Sequence, residues 1–175
     1  AYCTNVDIAI ETFVFPKDSA QDRLMMAVHC YDPYEYTLPA NKSEWGHTAN
    51  ASNKVPGDNE ADLEKVFQKL NTHFIAKDIP VYMGESGCVN RAGAREQAFQ
   101  QYYFRYYAKL ARIYGVPCIV WDNGARGAGN EKHAFFHHGT GEYCSPEAKA
   151  AMQALIGSYN STLTLEEVYN MAPKF

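Results

Sequence analysis

The chain has 175 residues, of which 46% are hydrophobic and 21% are charged, a composition typical of a folded globular domain rather than a disordered segment. Its formal net charge of −4 at pH 7 argues against the basic surface that nucleic-acid binding requires. No apolar run approaches the ~20 residues of a membrane-spanning helix. We therefore expect neither a nucleic acid nor a membrane as a partner.

The first repeating unit begins with a continuous apolar run at residues 23–31, RLMMAVHCY, which is typical of a strand buried on both faces. A loop rich in Pro, Asn, Ser and Gly follows it to about Asp58. A helix is predicted over residues 59–77, with Asn59 as its N-cap. Its apolar residues share one face: Leu63, Val66, Phe67, Leu70 and Phe74. A further irregular strand is expected before Asp18.

The second unit pairs a strand at residues 79–84, IPVYMG, with a helix from about Ala94 to Tyr114. A stripe of apolar and aromatic side chains on this helix is interpreted as core packing: Phe99, Tyr103, Tyr106, Leu110 and Ile113. Gly115 ends the helix, and Pro117 opens a third strand at residues 117–122, PCIVWD.

The last clear helix is predicted from Pro146, capped by Ser145, to about Gly157. A short terminal helix starts at a capping box that runs from Thr164 to Glu167. Strands that alternate with helices predict an α/β fold with a parallel sheet. Two architectures fit, an open doubly wound sheet or part of a (β/α)8 barrel, and a complete barrel needs at least ~200 residues.

The cysteines and one histidine-rich segment could suggest metal chemistry. The five cysteines form no CxxC pair, so buried unpaired thiols are favoured over a disulfide framework, a zinc site or a thioredoxin motif. The segment KHAFFHHG at residues 132–139 has no accompanying carboxylate pattern, and its histidines are expected at the surface. We expect no metal and no cofactor.

Polar and aromatic residues follow each of the three strands. The sequences are HCYDP at residues 29–33, GESG at residues 84–87 and WDNG at residues 121–124. The carboxyl ends of parallel strands meet at one face, where α/β proteins place their functional sites. A lone carboxylate at the end of a buried strand is costly unless something uses it, so Glu85 is the leading candidate residue.

The segments HCYDPYEYT, IPVYMGESG and GVPCIVWDNG, in this order and spacing, resemble the final three strands of glycoside hydrolase family 5, in its cellulase (endo-β-1,4-glucanase) branch. The resemblance covers roughly residues 1–157. It implies that Glu85 is the nucleophile of a retaining glycosidase and that His29 and Tyr31 line the sugar site. It further implies that Trp121 is a platform under the sugar and that Trp45 stacks on another sugar unit.

Each of these residues also has a structural interpretation, which the sequence leaves open. Glu85 could cap a nearby helix, His29 could be a core histidine, and Trp121 and Trp45 could fill the core. Ser86 and Cys30 depart from the aromatic residues common in the family and are expected to shape the pocket. Chemistry supports the family interpretation, because a retaining mechanism needs an ionised carboxylate and an indole face suits the C–H surface of a glucose ring.

The acid/base half of such a site is missing from the sequence. The family carries its acid/base in an Asn-Glu-Pro motif at the fourth strand, and this chain contains no such motif. Three explanations compete: a portion of a full enzyme, which is favoured, a half-barrel that pairs with another copy or another chain, or a non-catalytic glucan-binding remnant. An unrelated open-sheet domain is disfavoured, because no Gly-rich phosphate loop follows a strand.

The resulting expectation is one partial catalytic domain over residues 1–175. Its fold is expected to be α/β, corresponding to about strands 6–8 of a (β/α)8 TIM barrel. The expected function is that of a secreted endo-β-1,4-glucanase whose partners are a β-glucan and another copy or the missing half-barrel. The sequence does not rank cellulose, mixed-linkage glucan, xyloglucan and xylan as substrates.

Overall fold

The computed structural model describes residues 6–20 and 23–175. Within these ranges, three strands lie in a parallel sheet: β1 (Met26–Cys30), β2 (Val81–Ser86) and β3 (Cys118–Val120). Six α-helices accompany them, and a short 3₁₀ helix, Ile75–Lys77, precedes β2. The α-helices are α1 (Val6–Thr12), α2 (Tyr34–Thr37), α3 (Asn59–His73), α4 (Ala94–Tyr114), α5 (Pro146–Asn160) and α6 (Leu165–Tyr169).

The strand order is β1-β2-β3, and both neighbouring pairs are parallel. The register is regular from Met26 opposite Val81 to Val28 opposite Met83, and it then shifts so that His29 lies opposite Glu85. The strand β2 therefore carries one extra residue, Gly84, which forms a β-bulge. The predicted α/β class with a parallel sheet is confirmed.

One face of the sheet is covered and the other is open. Alternate strand residues are fully buried on the covered face, among them Met26, Val28, Cys30, Val81 and Met83. They belong to one core with the aromatic side chains of α4, which packs against α3, α5 and α6. Ile113 was predicted in this core but is 53% exposed, because its position near the end of α4 faces away from the neighbouring helices.

The helix α4 spans the predicted residues. The helix α3 ends at His73, before the predicted residue 77, and the three strands are displaced from or shorter than the predicted runs. Asp58, not the predicted Asn59, is the N-cap of α3, because the Asp58 carboxylate accepts from the backbone N–H of Ala61. The helix α5 continues past Gly157 to Asn160. The capping box between Thr164 and Glu167 at α6 is confirmed, with both reciprocal hydrogen bonds present.

The amino-terminal region differs from the expectation of an extra strand before Asp18, since residues 6–12 form the helix α1. Four cysteines are free thiols, as predicted: Cys30, Cys88, Cys118 and Cys144. Cys30 and Cys88 are also buried as expected, whereas Cys118 and Cys144 are only partly buried. Cys3 lies outside the described residues. No helix in the described part of the chain combines the length and the apolarity that crossing a membrane would require.

Candidate active site

Glu85 lies near the carboxyl end of β2, and the bulge at Gly84 decides which way it faces. In a regular strand, side chains alternate between the two faces, so Glu85 would share the covered face with Met83. The extra residue instead returns Glu85 to the open face, on which its neighbour His29 also lies. The Glu85 side chain is 28% exposed and can therefore be reached by a ligand.

Two side chains from the end of β1 contact the Glu85 carboxylate. The Tyr31 hydroxyl donates a hydrogen bond of 2.9 Å to Oε2 of Glu85, and Nδ1 of His29 lies 3.3 Å from the same oxygen. A Cβ on Gly84 would lie 3.3 Å from Nε2 of His29, so glycine at this position leaves room for the imidazole ring. The phenol therefore fixes one oxygen of an accessible carboxylate, and the imidazole lies against the same oxygen.

Trp121 follows β3 directly and lies at the same carboxyl-terminal edge of the sheet as Glu85. Its backbone N–H donates to the carbonyl of Ser86, the residue after Glu85, at 2.8 Å. Trp121 is 38% exposed, so it can be reached from solvent. The structure thus places the ends of all three strands, with Glu85, His29, Tyr31 and Trp121, at one accessible edge.

A protein-family model matches most of the chain. Residues 1–127 match the model of the cellulase family, glycosyl hydrolase family 5. The chain belongs to glycoside hydrolase family 5. This membership, which the sequence analysis expected, makes the accessible carboxylate edge the candidate active site of a family 5 chain.

Characterised proteins extend the likeness over most of the chain. Endoglucanase B of Neocallimastix patriciarum is 30% identical over 165 residues, which are 94% of this chain and 32% of that protein. A Bacteroidetes-affiliated family 5 cellulase linked with a polysaccharide utilization locus has a TM-score of 0.92 at 37% identity, over 97% of this chain and 47% of its own.

A Bacteroides ovatus family 5 xyloglucanase, solved in complex with a XXXG heptasaccharide, has a TM-score of 0.76 at 27% identity. The match covers 90% of this chain and 34% of the xyloglucanase chain. The family 5 chain described here therefore spans about a third to a half of the length of these relatives.

Trp45 was expected to stack on a sugar, and the structure corrects this expectation. Its side chain is 0% exposed and lies among three tyrosine rings of α4, whose centroids are 5.2–5.7 Å away: Tyr102, Tyr103 and Tyr106. A long loop carries Trp45 back over α4, where burial of the large indole outweighs any exposed position. Trp45 is a core residue.

His133 was expected at the surface with its neighbours, and this expectation was wrong. His137 and His138 are exposed, but His133 is fully buried, with no hydrogen-bond partner for either ring nitrogen among the described residues. Burial lowers the pKa of His133 to about 4, so its imidazole is neutral at pH 7. Its ring lies edge-on to Tyr31, with centroids 6.3 Å apart, directly behind the candidate site.

Cys30 and Ser86 were expected to shape the pocket, but the structure places both on the covered face of the sheet. Cys30 is fully buried, and the Ser86 hydroxyl donates to the carbonyl of Ile119 on β3. Their small side chains fill space under the helices and do not line the accessible edge. The described residues also contain no cluster of His, Cys, Asp or Glu that could hold a metal ion.

Sequence reasoning gave no role to Asp122, although the residue lies in the WDNG segment. Its carboxylate does not face the candidate site. It accepts hydrogen bonds from the backbone of its own loop, and its side chain is only 15% exposed. The hydrogen bond from the Gly124 N–H is a local turn contact, but the N–H groups of Phe135 and Phe136 lie more than ten residues further along the chain, so the sequence gives no signal for them.

Proposed function

We propose that this chain is the nucleophile-bearing part of a retaining β-glucanase. In this proposal it corresponds to about strands 6–8 of a (β/α)8 barrel, and Glu85 is the nucleophile. The observation that carries the proposal is the Glu85 carboxylate, which is accessible at a strand end, accepts a hydrogen bond from Tyr31 and lies against His29, with Trp121 at the end of the neighbouring strand. Family membership supports the same assignment.

The proposed reaction has two steps. A carboxylic acid from the rest of the barrel protonates the glycosidic oxygen while Glu85 attacks the anomeric carbon, so the C–O bond breaks and a glycosyl-enzyme forms. The acid from the rest of the barrel, now deprotonated, then removes a proton from water. This water displaces Glu85 from the anomeric carbon, so the configuration of the sugar is retained overall. Because the two carboxyl groups of a retaining enzyme are about 5–5.5 Å apart, the acid/base must face Glu85 across the open side of the sheet.

Each site residue has a distinct part in this scheme. The Tyr31 hydroxyl orients the attacking carboxylate, and His29 lies against the same oxygen. The exposed indole of Trp121 offers an apolar face to the C–H surface of the sugar ring. Relatives named as endoglucanases and as a xyloglucanase favour a β-1,4-glucan backbone as the substrate. Because such polymers do not enter cells intact, we expect the enzyme to be secreted.

The test combines trapping with a matched pair of variants in a longer protein that includes the complementary half of the barrel. An activated 2-fluoro cellobioside should label Glu85, as located by peptide mass spectrometry. Glu85→Gln should lower kcat by at least about 10³-fold and leave glucan binding intact. Glu64→Gln, which alters a carboxylate on the helix α3, is the control and should retain full activity. Labelling at another carboxylate, or an active Glu85→Gln enzyme, would remove the assignment.

A non-catalytic glucan-binding half-barrel is the alternative. It predicts that cellulose pull-down succeeds while carboxymethylcellulose is never hydrolysed, including by the longer protein. Intact mass and solution size of the natural protein distinguish a separate half-barrel from a portion of a longer enzyme.

A further inference from the structure

The loop that begins at Trp121 and returns at His138 is defined here as the platform loop. Its first residue is tied to the candidate site, because the Trp121 N–H donates to the carbonyl of Ser86. The backbone of Trp121 is thereby fixed on the side of β2, and the residue itself is 38% exposed. On its other side, the path of the chain from Trp121 is set by how the residues after it are held.

Asp122, the next residue, holds the platform loop at both ends. Its Oδ2 accepts from the N–H groups of Phe135 and Phe136 at 3.0 and 2.8 Å. Its Oδ1 accepts from the N–H of Gly124 at 2.9 Å and lies 3.1 Å from Nε2 of His138. One carboxylate therefore joins the start of the loop to the segment that returns more than ten residues later.

The charge of Asp122 matches these donors. Partial burial by itself would raise the pKa of Asp122, but the N–H groups of Phe136, Gly124 and Phe135, with His138, hold it below its ordinary value. Hydrogen bonds to an ionised acceptor are shorter and about twice as strong as neutral ones. The carboxylate is thus ionised at neutral pH, and its charge is part of the arrangement.

A second carboxylate in the chain makes the same kind of closure away from the candidate site. Glu44 accepts from the Asn50 N–H at 2.7 Å, from Nδ2 of Asn53 at 3.0 Å and from the Arg95 guanidinium at 2.7 and 3.0 Å. It closes the loop that carries the buried Trp45, so it offers a natural control. Both carboxylates stabilise a loop, but only Asp122 adjoins an exposed indole.

We propose that Asp122 is a positioning residue for the active site: by closing the platform loop, it sets the orientation of the Trp121 ring relative to Glu85. Asp122 itself does not contact the substrate. The expected effect on kinetics rests on the proposed function. The dependence of the Trp121 ring orientation on Asp122 does not.

The test compares Asp122→Asn with Glu44→Gln in the longer protein that contains the complementary half of the barrel. Asparagine preserves the size of Asp122, but its NH₂ group meets backbone N–H donors and its charge is lost. Asp122→Asn should lower kcat/KM for cello-oligosaccharides by about 10- to 100-fold, which corresponds to the loss of roughly 1.4–2.7 kcal/mol in the transition state. Glu44→Gln should stay within about twofold at temperatures where it is folded.

A spectroscopic readout separates positioning from general stability. In protein labelled with 5-fluorotryptophan, the ¹⁹F resonance of Trp121, assigned with Trp121→Phe, should shift or broaden in Asp122→Asn. The resonance of Trp45 should not move. His138→Ala removes one of four contacts and should change both readouts only slightly, by at most about threefold in kcat/KM.

The possible outcomes lead to different conclusions. An unchanged Trp121 resonance in Asp122→Asn, or an equal kinetic loss in Glu44→Gln, would overturn the positioning role. If the wild-type protein hydrolyses no glucan, the proposed function fails. The ¹⁹F measurement then still decides whether Asp122 orients Trp121, so the two failures are distinguishable.

Discussion

The two tryptophans of this chain lie in loops that are each closed by a carboxylate, but one indole is buried and the other is exposed. Each indole neighbours a carboxylate that closes its loop, Glu44 beside Trp45 and Asp122 beside Trp121. Trp45 is turned into the core between tyrosines of α4, whereas Trp121 is left at the accessible edge beside Glu85. An aromatic residue in a loop is therefore not evidence for a sugar platform until the path of the loop is known.

The difference lies in what each loop crosses. The loop after β1 passes over the aromatic surface of α4, so the Trp45 indole gains free energy from burial. The platform loop starts at the open end of the sheet, and only its return segment, with Phe135 and His133, packs into the interior. We therefore expect changes at Trp45 to affect mainly the stability of the protein, and changes at Trp121 to affect mainly its activity.

The largest expected contrast comes from deleting each indole. Trp45→Ala should lower the free energy of unfolding by about 3–5 kcal/mol, because it leaves a cavity among packed rings. Trp121→Ala should change stability by less than about 1 kcal/mol and mainly reduce activity. Urea titrations measure the first effect and cello-oligosaccharide kinetics the second. Equal stability losses in the two variants would contradict the comparison.

The second contrast is in pH dependence. His133 in the folded protein has a pKa of about 4, against roughly 6.5 when unfolded. As pH falls from about 6.5 to 4, the unfolded state binds a proton that the folded state does not, so stability should fall by about 3 kcal/mol. The unfolding free energy of His133→Phe, measured over this range, should be nearly flat by comparison.

Glu44 acts in a lower pH window. Its hydrogen bonds with the Arg95 guanidinium lower its pKa to about 2, so its contribution is present above about pH 4.5 and is lost as the pH falls toward 2. Glu44→Gln should reduce the slope of stability against pH only in this lower window. If both variants changed the same window, the assignment of separate titrations to the two loops would be wrong.

The smallest expected effect concerns one glycine in each loop. Gly124, at φ +70°, has room for a Cβ at 3.4 Å from an exposed histidine, so Gly124→Ala should cost only about 1–2 kcal/mol of left-handed strain. Gly46, at φ +100°, would place a Cβ 2.8 Å from both Glu60 and Tyr102. Gly46→Ala should cost at least about 1 kcal/mol more, as thermal unfolding would measure. The reverse order would indicate that the core around Trp45 can relax.

Much of the fold could be read from the sequence, because the signals are local. The apolar stripe and the Gly115 stop predicted α4 at its observed bounds, and the capping box predicted α6. The strand ends predicted which polar residues share one edge, and Glu85, His29 and Tyr31 are in contact there. Family motifs pointed to the same residues, and their catalytic roles stay predictions.

The sequence by itself determined the order of the three strands and of the helices α3 to α6, the parallel sheet and the carboxylate at the end of β2, since these follow from residue spacing within short windows. Only the tertiary structure decided that a bulge at Gly84 turns Glu85 toward His29, that Trp45 and His133 are buried, and that Asp122 closes the platform loop. These features depend on partners more than ten residues away, and the free energy of long-range packing overrides local patterns there.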